Sequence, residues 1–455
     1  MNLVWFRTDL RLADNPALYH AVKSGEPTLA LFVLFSDQHK LHGESAQKYE
    51  FMKAHINDLV VRLAQLGIPS TTHEVSWFKD AAPFMGQLVK KHKIKHVYIN
   101  ANYWPNERKR DQAVKRQLKE SQVQLSEYHS NYLLAPGTVR KADGSMYHVF
   151  TPYKKKYIEH LKQTYRIPLA VPTVSDIRAV EVPLSLNVNF NLNQWPIGES
   201  ALAKRLKPFL KEVDYHEQRD FPAIKGTSRL SPYLATGVIS AQQCLAYALK
   251  YQGETAFNST WVAELIWRDF YNDLMYEYPH LAKHQTFKAQ AKDQWLDKPA
   301  LFQQWQQGQT GFPIVDAGMR QLLKEGWMHN RVRMIVASFL CKLCLVDWRL
   351  GEAHFMKHLL DGDLASNNGG WQWSSATGCD AAPYFRIFNP TTQSQKFDPS
   401  GAYIKTFVPE LNGLSAKEIH SPHVNIRKKL QYPEPMIDYK VARVRALEWF
   451  KKPND

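Results

Sequence analysis

The sequence predicts an N-terminal α/β domain of Rossmann-like shape around a parallel sheet, followed by a larger all-α C-terminal domain. Three observations carry that expectation. Through residues 1–130, short β-branched or aromatic runs alternate strictly with longer amphipathic stretches, the pattern of strands joined by crossover helices. Residues 131–195 lose that periodicity and are punctuated by proline. From residue 196 onward strand signals almost vanish and long amphipathic helical stretches dominate.

The strand-like runs are Leu3 to Phe6, Thr28 to Phe35, Ser70 to Val75, His96 to Asn100 and Val123 to Tyr128. Among the stretches between them, Ala46 to Leu66 stops at Gly67 and Pro69, as a helix should. Neither GxGxxG nor GxxxxGK[ST] occurs, so the first strand-to-helix turn carries no phosphate-cradling signature. The connector holds Pro168, Pro172 and Pro183, then the polar run Ser185 to Gln194. It separates an expected domain at 1–130 from one at 196–455. In the latter, Ala201 to Leu210, Ser240 to Tyr251, Thr260 to Tyr278 and Asn330 to Val346 read as helices.

The chain has 455 residues, with 58 Lys+Arg against 43 Asp+Glu and a formal charge of +15. A membrane span needs roughly 18 apolar residues in a row. The longest candidates, Leu29 to Phe35 and Met334 to Val346, are too short or broken by Lys342. Arg7, Asp9 and Arg11 interrupt the apolar core a signal peptide would need, and four cysteines are too few for a disulfide scaffold. A reduced, cytoplasmic protein that enters no membrane is expected. Residues 1–130 hold 18 basic and 13 acidic side chains, so most of the excess charge lies beyond them, spread through folding segments. That distribution suits a polyanion-binding surface, although charge alone also fits a generally basic soluble protein.

Cys341 and Cys344 form a CxxC inside an apolar helical run with no second pair at zinc-finger spacing, which favours core packing over metal or redox chemistry. His354 and His358 stand one helical turn apart, yet Phe355 follows the first where HExxH requires Glu. No metal is expected. Eight of the thirteen tryptophans fall between Trp261 and Trp373. Core filling explains any one of them, but Trp261, Glu264 and Arg268 share a helical face with Trp267 beside them. A carboxylate among tryptophans needs a partner or a task. The run from Asp361 and Asp363 through Asn367 and two glycines to Trp371 and Trp373 suits a large planar ligand better than a plain surface loop. Thr227 to Ser231 offers hydroxyls, amides and Arg229 ahead of a helical stretch, as a diphosphate requires.

These motifs resemble the DNA photolyase/cryptochrome family, and within it the bacterial class I cyclobutane pyrimidine dimer photolyases. The resemblance rests on LVWFRTDLRLADNPAL at 3–18, GTSRLSPYLATG at 226–237, ELIWRDFY at 264–271, GFPIVDAGMRQLLKEGWMHNRVRM at 311–334 and DGDLASNNGGWQWSSATGCDAAPYFRIFNP at 361–390. It implies an α/β antenna domain, a long connector and a helical domain holding FAD. It also implies a carbon–carbon lyase that uses light. An electron from excited, reduced FAD splits a cyclobutane dimer flipped out of UV-damaged DNA and then returns to the flavin.

By that resemblance, Tyr215, Thr227, Ser228, Arg229, Leu230 and Ser231 line the flavin phosphates and ribityl chain. Trp261, Arg268, Asn330, Arg333, Asp361, Asp363 and Asn367 make other flavin contacts, with Asn367 at N5, where plant cryptochromes carry Asp. Glu264, Trp267, Asn330, Met334 and Trp373 receive the lesion. Relatives acting on the (6-4) photoproduct carry His where this chain has Asn330 and Met334, which favours the cyclobutane dimer. Arg219, Arg331 and Arg386 meet DNA, and Trp371, Trp348 and Trp295 relay electrons from the surface to oxidised flavin.

His42, Asn106, Glu107 and Lys283 resemble a 5,10-methenyltetrahydrofolate antenna site. Ala282 stands where similar chains can carry Cys, which leaves a deazaflavin or no antenna as alternatives. A monomer is expected. The competing implication is a cryptochrome-type blue-light sensor without repair activity. Such sensors often extend well past their last helix, whereas this chain stops soon after Phe450. A non-enzymatic basic DNA-binding protein would explain the charge but neither Glu264 nor the 361–373 run.

Overall fold

The computed structural model describes residues 1–174, 186–188, 195–289, 291 and 293–451. Pro183 and most of the predicted polar run Ser185 to Gln194 lie outside them. By contact the chain forms two compact units, Met1–Glu212 with Ser228–Ala282, and Val213–Thr227 with Lys283–Asp455.

In the first unit, β1 (Asn2–Phe6), α1 (Pro16–Lys23), β2 (Thr28–Leu34), α2 (Ser36–Leu41), α3 (Ala46–Gln65), β3 (Ser70–Glu74), α4 (Ala81–Lys91), β4 (His96–Asn100), α5 (Pro105–Glu120) and β5 (Gln124–Tyr128) alternate as expected. The sheet is parallel with order β3-β2-β1-β4-β5, and Leu3 sits opposite Leu29 and Val97. β1 is buried along its whole length, as a central parallel strand covered on both faces must be. Leu3, Trp5, Leu31 and Ile99 pack with Met85, Leu88, Val114 and Leu118 from α4 and α5.

A side-chain network occupies the turn after β1, where a dinucleotide-binding protein would have glycines. Asp9 accepts from the Arg7 N–H and from Asn100 Nδ2, both at 2.6 Å, and Arg7 pairs with Asp111 at 3.1 Å. Buried Arg11 donates to Gly237 O at 2.9 Å. Gly237 has φ +72°, and a Cβ there would lie 1.9 Å from Thr8 O. Only glycine permits this approach, so the first family-like motif serves to dock the sheet ends onto the helices that follow.

Those helices are α6 (Phe150–Thr164), α7 (Glu199–Glu212), α9 (Ser231–Thr236), α10 (Ala241–Gln252) and α11 (Thr260–Glu277). α6 lies in the stretch read from sequence as an irregular connector. Its aromatic stripe Phe150, Tyr153 and Tyr157 is buried, but Pro152 in the first turn and a lysine run hide the helical period. Asp269 and Asp273, one turn apart on α11, hold the irregular backbone before α6: Leu133 N donates to Asp269 at 2.8 Å and Gly137 N to Asp273 at 2.7 Å. Burial pushes the Asp269 carboxyl up to about 7. α10 begins with a capping box between Ser240 and Gln243.

The second unit contains α8 (Tyr215–Gln218), α12 (Pro299–Gln306), α13 (Pro313–Glu325), α14 (Asn330–Ser338), α15 (Trp348–His358), α16 (Leu364–Ser375) and further helices from Pro390 onward. Trp305, Met319, Val336, Leu340, Trp348, Phe355 and Trp371 share one buried core. The predicted continuous helix Asn330 to Val346 is corrected here. α14 ends at Ser338, a π-helical turn covers Phe339–Leu343, and Leu345 at φ +57° stops the chain's helical course. Residues 339–344 are buried on every side, so no polar period marked the change. Cys341 and Cys344 are fully buried there, and burial pushes the Cys344 thiol up to about 12. Among the described residues no helix is long and apolar enough to cross a membrane, and none of their His, Cys, Asp and Glu side chains group as a metal site would require.

Candidate functional site

In the first unit the sequence-predicted residues gather on α11 and the loop before α9. Ser259 caps α11 by accepting from Val262 N at 3.2 Å. Trp261 Nε1 donates to Ser228 Oγ at 3.4 Å, which fastens the loop to the helix. Arg229 is held at φ +51° with its guanidinium 4.8 Å from the Trp195 ring centroid, and Leu230 and Ser231 lead into α9 with Pro232 in its first turn. Trp267 stacks on Phe150 at 3.5 Å, with Tyr271 on the same ring system at 5.5 Å. Half-buried Glu264 lies between Trp261 and Trp267 along the helix. Arg268 donates to Asn131 O at 2.8 Å and Leu234 O at 3.3 Å and lies over Tyr132. It thus fastens backbone, a task invisible in sequence because its acceptors are carbonyls far along the chain.

A second group forms at the carboxyl ends of the strands. The strand order reverses between β1 and β4, which opens the crevice where α/β sheets take ligands. His42, after β2, lies 3.1 Å from Asn106 Nδ2 at the start of α5, across that crevice. Glu107 follows in the first turn of α5, and burial pushes its carboxyl up to about 7 against the opposing pull of Arg110. Lys283, the fourth predicted antenna residue, falls in the other unit.

In the second unit, Arg333 pairs with Asp361 at 2.7 Å and also donates to Met328 O at 2.8 Å. Asp363 caps α16 by accepting from Ser366 N at 2.8 Å. One turn on, Asn367 Nδ2 donates to Glu352 O at 3.0 Å. The Glu352 carboxylate, buried on α15, takes His284 Nδ1 and Asn368 Nδ2 at 2.9 Å each, and Asn368 accepts from Gln372 at 2.9 Å. Sequence reasoning missed Glu352 and His284. A lone acid between Gly351 and Phe355 on the buried face of its helix was the available signal. Gly351 itself lets Trp371 close in, since a Cβ would lie 2.1 Å from that ring.

Asn330 opens α14, whose cap His329 accepts from Arg331 N at 3.2 Å. Arg331 pairs with Asp220 at 2.8 Å, reaches Met334 Sδ at 3.7 Å and lies over Phe397. Arg219 stands over Tyr215 and 3.9 Å from the same Asp220. The structure therefore joins Arg219 and Arg331 through an aspartate that sequence reading had not singled out. Thr227 is half-buried beside buried Gly226. Arg386 is exposed on the loop after half-buried Trp373. Trp371 and Trp348 are buried in one core, and Trp295 packs against it from a partly exposed position, donating to Asp293 at 2.9 Å.

Asp361 Oδ1 and His329 Nε2 are buried without a hydrogen-bond partner. An unmet buried polar atom costs about 1–3 kcal/mol, and Asp361, which also pairs with Arg333 at 2.7 Å, offers an acceptor of the kind the N–H edge of an isoalloxazine would need. Residues 2–173 match the family model "DNA photolyase" and residues 261–452 match "FAD binding domain of DNA photolyase". The chain is 43% identical to the deoxyribodipyrimidine photo-lyase of Escherichia coli K12, over 98% of this chain and 97% of that one. It is 40% identical to the enzyme of that name from Vibrio cholerae, over 99% of each. A bacterial class III photolyase from Agrobacterium tumefaciens superposes with TM-score 0.80 at 32% identity, covering 99% and 96% of the two chains. A Synechocystis cryptochrome superposes with TM-score 0.83 at 26% identity, covering 99% of both. Residues 261–452 are thus an FAD-binding domain. With matched models at both ends and this identity sustained along almost the whole chain, the protein belongs to the DNA photolyase/cryptochrome family.

Proposed function

We propose that the protein repairs cyclobutane pyrimidine dimers in UV-damaged DNA with light, as a monomer. Residues 1–130 would serve the antenna, 131–195 connect, and 196–455 hold FAD and the lesion. The observation that carries this reading is the identity of 43% over nearly full length to two relatives named deoxyribodipyrimidine photo-lyase.

Bound in reduced form, FAD would supply the light-driven electron transfer, so no side-chain nucleophile would be required. The chain's residues hold and orient. Tyr215, Thr227, Ser228, Arg229, Leu230 and Ser231 bind the phosphates and ribityl chain. Trp261, Arg268, Asn330, Arg333, Asp361 and Asp363 bind the rest. Asn367 donates one N–H to Glu352 O, which would orient its amide so that the oxygen could accept from a reduced flavin N–H without adding charge. Glu264 hydrogen-bonds the thymine edges while Trp267, Met334 and Trp373 receive the flipped dimer, whose extraction costs a few kcal/mol. Arg219, Arg331 and Arg386 meet phosphates, so binding weakens as salt rises.

Glu264→Ala tests the lesion pocket. It removes a charged hydrogen-bonding group worth about 1.5–3 kcal/mol. About tenfold weaker binding of irradiated oligothymidylate is expected, with FAD absorbance retained. Unchanged binding and repair would contradict the assignment.

For the antenna, 5,10-methenyltetrahydrofolate at His42, Asn106, Glu107 and Lys283 is the reading; the crevice between His42 and Asn106 and a Glu107 carboxyl that burial pushes up support its first three residues. Reconstitution with the folate should restore a near-ultraviolet band that energises FAD, and Glu107→Gln should weaken folate retention severalfold while FAD stays. Folate that does not bind the wild-type protein would sink this assignment.

A further inference from the structure

Lys342 lies on the π-helical turn, where Cys344 N bonds back to Phe339 O at 3.1 Å, and its side chain is 1% exposed. An ammonium at that depth is costly unless it is paired or fully hydrogen-bonded. Among the described residues no carboxylate pairs with it. Its Nζ donates instead to Pro383 O and Arg386 O, each at 3.1 Å. Both carbonyls belong to one loop without helix or strand.

The loop is also held at its ends, where Ala382 is buried and Ile387 and Phe388 pack against the core, so the stretch Pro383–Arg386 between them leans most on Lys342. Arg386 N donates to Pro383 O at 3.0 Å, and Ala382 N to Trp373 O at 3.3 Å. At its tip Phe385 and Arg386 are exposed. Packing gives no reason for a charge at position 342, because an apolar chain of the same length would fill the space among Cys341, Leu343 and their neighbours at no desolvation cost. The two carbonyls do give one. π-turns displace one residue from its helical position and recur at functional sites; here the displaced turn carries the lysine that reaches the loop.

We infer that Lys342 is a positioning residue for DNA binding: its buried ammonium fixes the loop Pro383–Arg386 and thereby sets where Arg386 meets the DNA backbone. This rests on the reading of Arg386 as a DNA contact, and the test separates the two.

The test uses the full chain with FAD bound. In the wild type, amide exchange across residues 384–386 should be slower than in an unstructured peptide despite the loop's exposure. Lys342→Met should bring that segment to the unstructured rate while α13 and α14 stay protected, a local signature that a lysine serving general stability would not give. Binding to UV-irradiated oligothymidylate should weaken about tenfold in Lys342→Met, as for loss of one arginine contact. Arg386→Ala should match it, and the double variant should lose little more, since both remove the same contact. Lys342→Gln, which keeps an amide donor, should fall between and decides the matter if Lys342→Met fails to retain FAD. Free exchange of the wild-type loop, unchanged exchange in Lys342→Met, or fully additive binding losses would overturn the inference. Unchanged binding in Arg386→Ala, with the loop freed in Lys342→Met, overturns the DNA contact and leaves only the tether.

Discussion

Replacing Trp348 with phenylalanine is expected to abolish light-driven reduction of oxidised FAD while sparing repair by chemically reduced protein. Trp348 is fully buried at the start of α15, in the same core as Trp371, and partly exposed Trp295 packs against that core. All three rings thus belong to, or pack against, one core, as the proposed relay requires. Phenylalanine fits the space but is much harder to oxidise than an indole, so the relay loses its middle station. Asp347 still caps the helix through Arg349 N at 3.0 Å, and the cavity left should cost only about 1–3 kcal/mol. The check is the decay of oxidised-flavin absorbance under blue light with an external reductant. A rate at least tenfold below wild type is expected, with dimer repair after dithionite treatment within twofold. Normal photoreduction would remove Trp348 from the relay.

Asp361→Ala is expected to yield protein without FAD. The carboxylate holds Arg333 at 2.7 Å, and its other oxygen is buried without a partner. Removing it leaves a guanidinium with its counter-charge gone, a change that costs about 3–5 kcal/mol at a buried pair. At the same time it deletes an acceptor facing the proposed ring site. Purified Asp361→Ala should show a lower Tm and little absorbance near 450 nm, whereas Asp361→Asn, which keeps the shape, should retain part of the flavin. Full FAD content in Asp361→Ala would show that the carboxylate has no part in holding it.

The central strands were legible because they are buried on both faces and read as largely apolar runs, Leu3 to Phe6 and Thr28 to Phe35, whereas β3 and β5 are polar and only half-buried. α10 and α11 were legible from their amphipathic periods, and the structure adds serine caps at Ser240 and Ser259. α6 was not, since Pro152 and three lysines obscure a face recognised only when Tyr153 and Tyr157 meet Asp273 and Asp269. The π-turn escaped for the opposite reason: with every side of Phe339 to Cys344 buried, nothing distinguishes a wide turn from a tight one. The motif residues could be named from resemblance, but their supports could not. His284 and Glu352 stand 68 positions apart and Lys342 reaches carbonyls 41 and 44 positions away. A backbone acceptor has no residue type to betray it.

The most direct test of light-driven repair is the loss of cyclobutane dimers from UV-irradiated oligothymidylate incubated with chemically reduced protein, under blue light and in parallel darkness. The expected result is loss in the illuminated sample alone. Dimers persisting in both samples, with bound FAD confirmed by its absorbance, or disappearing equally in the dark, would contradict it.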